Sequence, residues 1–91
     1  MTPDQEIRRG FEAARILDEP LLKEAFTAIE AKVVGEMARV SVGARDAQRD
    51  LIVTLQLLHG LKRHIQTHID TGKLATIGKQ TTKDRLRRVM G

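Results

Sequence analysis

The sequence predicts an all-α protein: an antiparallel helical hairpin with an extra N-terminal helix before it and an extended basic C-terminal arm after it. Two apolar stripes and the short gap between them carry this reading. Leu22, Phe26, Ile29, Val33, Met37 and Val40 recur at steps of three and four, the spacing of one helix face. Leu51, Leu55, Leu58, Ile65 and Ile69 form a second stripe between Asp46 and Asp70, at steps of three, four or seven. Only Ser41, Val42, Gly43, Ala44 and Arg45 lie between them, and a connection that short joins antiparallel neighbours. Each stripe must be covered by the other or by a second subunit.

The N-terminal helix begins almost at once. Thr2 can cap, Pro3 suits the first turn, Asp4 complements the helix dipole and Gln5 completes a capping box. Ile7, Phe11, Ala14 and Leu17 keep helical spacing. Gly10 is a weak point within that run, and close approach of another helix would explain it. Proline lacks a donor and restricts the residue before it, so Asp18-Glu19-Pro20 predicts a break with Pro20 in the first turn of the next helix, or a kink in a continuous one. That second helix runs to about Val40, where Gly43 can turn left-handed and Ser41 or Asp46 can cap its successor. Gly60 suggests a helix crossing. The central helix should stop at Thr71-Gly72, leaving Lys73 to Gln80 as an extended connector. From Thr82 as cap, a last short helix would place Leu86, Val89 and Met90 on one side of Lys83, Arg85, Arg87 and Arg88. The expected organisation is a hairpin domain over 1–72 and a basic arm over 73–91.

Composition narrows the function. At 91 residues a single helical layer buries little surface, and without cysteine neither a disulfide nor a thiolate metal site can compensate, so self-association is expected. Phe11 and Phe26 are the only aromatics, which leaves base stacking almost nothing to work with. No apolar run approaches the ~20 residues of a membrane span. Met1-Thr2-Pro3-Asp4 lacks the features of a secretion signal, and the chain is expected to be soluble. The net charge of +4 is unevenly spread, with −2 over residues 1–40 and +6 over residues 41–91. An anionic partner should therefore meet the C-terminal half.

No set of residues makes a convincing catalytic site. His64 and His68 share a helix face, but His59 points elsewhere and no third metal ligand joins them. Gly78-Lys79-Gln80-Thr81 resembles the end of a phosphate-binding loop, yet Gly72 lies six residues before Gly78 where five are required, and Gln80 stands where a hydroxyl should follow the lysine. The carboxylates are scattered along helix faces without a cleft. The chain is thus read as non-enzymatic, with no cofactor, metal or small-molecule substrate. The candidate contact set is Lys79, Lys83, Arg85, Arg87 and Arg88, which could neutralise phosphates or dock on an acidic protein with Leu86 and Val89 as apolar anchors.

Three segments, Arg9 to Phe26, Arg45-Asp46-Ala47-Gln48-Arg49 and Thr71-Gly72-Lys73-Leu74, resemble a group of short helical proteins of tailed bacteriophages and prophages. The likeness covers residues 8 to about 75 and leaves the basic tail outside. What it implies is a place among head and packaging genes, in the virion or host cytoplasm, as a structural or assembly component. Its partners would be further copies of itself, other phage structural proteins such as coat or portal, and the DNA backbone. A DNA-binding packaging subunit resembling a small terminase is the alternative. A host-directed inhibitor mimicking nucleic acid would want an acidic surface, opposite to this chain.

Overall fold

The computed structural model describes residues 1–90, which form three helices: α1 (Pro3–Asp18), α2 (Pro20–Arg39) and α3 (Arg45–Met90). The all-α class expected from the two stripes is what these residues adopt. Thr2 and Gln5 close the anticipated capping box, the Thr2 amide donating to Gln5 Oε1 at 2.9 Å and the Gln5 amide to Thr2 Oγ1 at 3.2 Å. The chain breaks rather than kinks before Pro20. Glu19 is extended (φ −63°, ψ 119°), as a residue preceding proline prefers, and Pro20 opens α2. At the other end of α2, Val40 is again extended.

The turn after α2 differs from expectation in its fastenings. No described glycine has positive φ, so Gly43 does not make a left-handed turn. The side chain that ties the turn down is Gln48, whose amide donates to the carbonyls of Ser41 (2.8 Å) and Val42 (3.0 Å). Asp46 sits inside the first turn of α3 and pairs with Arg49 at 3.8 Å instead of capping.

Gly72 does not end a helix. Helix α3 neither stops there nor gives way to a connector over 73–80, and it runs without interruption to Met90. Thr82 is not a cap either, because its hydroxyl donates back to the Gly78 carbonyl at 3.0 Å, just as Thr76 donates to Gly72 and Thr81 to Ile77.

Two compact units divide the described chain. In one, residues 1–16 lie antiparallel to residues 65–80 of α3, with Asp4 meeting Lys79 and Gly10 meeting Gly72. A Cβ on Gly72 would stand 3.1 Å from the Gly10 Cα and from the Glu6 carbonyl oxygen, so two backbones touch where side chains usually intervene. Gly72 is therefore a helix-crossing residue and not a terminator. Ala13 is buried beside this contact.

The other unit, Leu17–His64, is the expected hairpin of α2 and the first part of α3. Phe26 and Val33 are buried, while Leu22, Met37, Leu51, Leu55 and Leu58 are half-buried. Glu30 faces His59 across the pair at 3.4 Å, and the Lys62 ammonium lies 5.7 Å from the Phe26 ring centroid. Ile29 is 47% exposed despite its place in the stripe. It stands at the edge of that stripe, turned away from the covering helix. Gly60 meets nothing within 4 Å and marks no crossing.

Candidate functional site

The five cations singled out by the sequence all lie on α3, but they do not act as one group. Lys79 is engaged: its ammonium donates to the Asp4 carboxylate of α1. That hydrogen bond, together with the charges of Lys79 and, more weakly, Arg8, holds the Asp4 carboxyl below its usual range. Sequence reasoning had no way to find this partner, since the pair is separated by 75 residues.

The other four differ. Lys83, Arg85, Arg87 and Arg88 are exposed, and among the described residues none of them forms an ion pair. At about 100° per residue, Leu86, Val89 and Met90 occupy an arc of roughly 100°, and the four cations with Asp84 take most of the remainder. Every residue from Lys73 to Met90 except Ala75 is exposed, with Leu86 at 54% and Val89 at 84%. Basic side chains in the last turn also suit the negative end of the helix, which helps explain why the helix persists to Met90. The basic end is therefore an amphipathic helical segment with a cationic back and an uncovered apolar edge, as expected from Thr82 onward, but continuous with α3 and not a separate short helix.

His64 and His68 do lie one turn apart on α3, and no described group of three or more His, Cys, Asp or Glu could hold a metal ion. Gly78, Lys79, Gln80 and Thr81 are all inside the helix, so no loop is present there to cradle a phosphate. In the first unit a groove of about 140 Å³ is lined by Ile7, Phe11, Ala14 and Ile69 beside the glycine contact, and it contains no titratable pair. No described helix is long and apolar enough to cross a membrane.

These features define a class: a helical chain with a thin core and a cationic helical end. Comparison with known proteins gave no matching family model, no matching curated protein and no matching solved structure.

Proposed function

We propose that the chain is a non-enzymatic assembly component of tailed-phage particles, which self-associates through its helix faces and uses the end of α3 to bind coat, portal or packaged DNA. The single observation that carries the contact role is the set of four exposed cations on the Lys83–Arg88 segment of α3, none of which forms an ion pair among the described residues. Within phosphate or carboxylate reach, such side chains release counterions and bind without base readout. The phage setting rests on the resemblance of residues 8 to 75. A packaging subunit similar to a small terminase is the second reading, favoured by the helical continuity of the basic end, because a helix is what the major groove admits.

Duplex binding across a salt series tests both. The full chain should lose affinity steeply with salt, and the variant Lys83→Gln/Arg85→Gln/Arg87→Gln/Arg88→Gln should flatten the slope of log K against log salt by about three to four. Retention on coat or portal protein without duplex affinity would select the first reading. Unchanged binding of every partner by the quadruple variant would remove the arm from the contact.

A further inference from the structure

The hairpin unit has a flank that its own helices leave open. In α2, Leu21, Ala25, Ala28, Lys32, Glu36 and Arg39 follow one another at steps of four, three, four, four and three, which places them in one row. In α3 the row is Asp50, Thr54, Leu57 and Leu61. Glu36 and Arg39 line a common hollow with Asp50 and Thr54, so the two rows lie side by side on the same flank. Glu30, His59 and Lys62 belong to the opposite flank, where Glu30 meets His59 and lines a second hollow with Lys62. The contacts of Glu30 with His59 and of Phe26 with Lys62 also fix the heights of the two helices: Leu61 stands level with Ala28, and Asp50 level with Arg39.

The apolar half of this flank is open to water. Leu21 is 72% exposed, Leu57 70%, Leu61 54% and Ile29, at its inner edge, 47%.

We propose that a second copy of the chain docks on this flank, about a twofold axis parallel to the two helices, so that α2 of each copy lies against α3 of the other. This deepens the self-association in the function proposed above and rests on it. The rotation keeps every residue at its own height. Leu61 of one copy therefore comes level with Ala28 of the other, a large side chain over a small one, and Leu57 comes level with the aliphatic stem of Lys32. It also brings Arg39 of one copy to Asp50 of the other, and it makes every neighbouring pair of helices antiparallel, as in an up-and-down four-helix bundle. An axis across the helices would instead set leucines against leucines and alanines against alanines, leaving a gap on one side of the seam.

The chain has no cysteine of its own, which makes disulfide trapping selective. Full-length Ala28→Cys and Leu61→Cys chains, one carrying a mass tag, are mixed and oxidised. The expected product is the linked mixed dimer, with few 28–28 or 61–61 links. Native mass should be an even multiple of 10.2 kDa. Leu57→Glu/Leu61→Glu should halve it, while Val42→Glu, in the exposed turn, should leave it unchanged. A dimer or larger assembly that forms only self-links overturns this interface and leaves self-association standing. A monomeric native chain overturns both, and the salt-dependent binding by the arm is read separately from either.

Discussion

The two helical units solve the same problem by opposite means. Residues 1–16 and the facing part of α3 meet through glycine, with Gly10 and Gly72 so close that an added methyl on either would stand 3.0–3.1 Å from backbone atoms. In Leu17–His64 the helices are held by bulk, with Phe26 and Val33 buried among half-buried leucines. A backbone contact gains dispersion and exactness of fit but buries little apolar area, whereas a side-chain contact buries area and tolerates adjustment. The two units should therefore fail to different substitutions. The largest effect belongs to bulk: Phe26→Ala removes the larger of the two buried side chains in its unit and should cost about 3 kcal/mol. Thermal and urea denaturation followed by circular dichroism would show it, and a loss under about 1 kcal/mol would mean that Phe26 is not what holds α2 to α3.

The glycine contact makes a sharper prediction, because its sign reverses along one helix. Gly72→Ala gains helix propensity but drives a methyl toward the Gly10 Cα and the Glu6 carbonyl, neither of which can rotate away, and should be destabilising by about 1–2 kcal/mol. Gly78→Ala, six residues on in the same helix, meets nothing within 4 Å and should stabilise by roughly 0.5–1 kcal/mol. Paired melts of the two variants decide the matter. If both were stabilising, the close crossing of α1 and α3 would not exist in solution.

The same contrast explains which parts of the fold were legible in the sequence. Phe26, Val33, Leu51, Leu55 and Leu58 announce themselves by period, and the break at Pro20 follows from a local steric rule. Glycine is ambiguous by nature: the missing side chain that suits a helix end also suits a crossing, and only the partner backbone tells the two apart. Gly72 has the local sequence of a terminus and is a crossing, Gly60 has that of a crossing and is open, and Gly10 has that of a close approach and is one. The pairing of Gly10 with Gly72 was the available signal, since both interrupt runs that are otherwise helical. Of the candidate contact residues, Lys83, Arg85, Arg87 and Arg88 lie together on one exposed helical segment, and Lys79 is diverted by a carboxylate that no spacing rule could supply. Gln48 escaped notice for a similar reason, because a glutamine reaching back to two turn carbonyls has no periodic signature.

The diverted lysine gives the smallest effect and the most local one. Asp4 and Lys79 join α1 to α3 at the edge of the glycine-packed unit, in solvent, where salt screens such pairs and their net worth is low. Because the folded state holds the Asp4 carboxyl below its ordinary value of 3.8, the pair stabilises the fold above that value, and the contribution is lost as pH falls through the lower, folded one. Carboxyl titration by NMR should therefore find Asp4 still ionised below pH 3.8. Lys79→Gln should return it most of the way, with Arg8 sustaining the remainder, and the melting temperature near neutral pH should barely move. High salt should shrink the displacement in the native chain in the same direction. An Asp4 that titrates identically in the native chain and in Lys79→Gln would show that this cation is free after all, and would add it to the four beyond it as a fifth contact for an anionic partner.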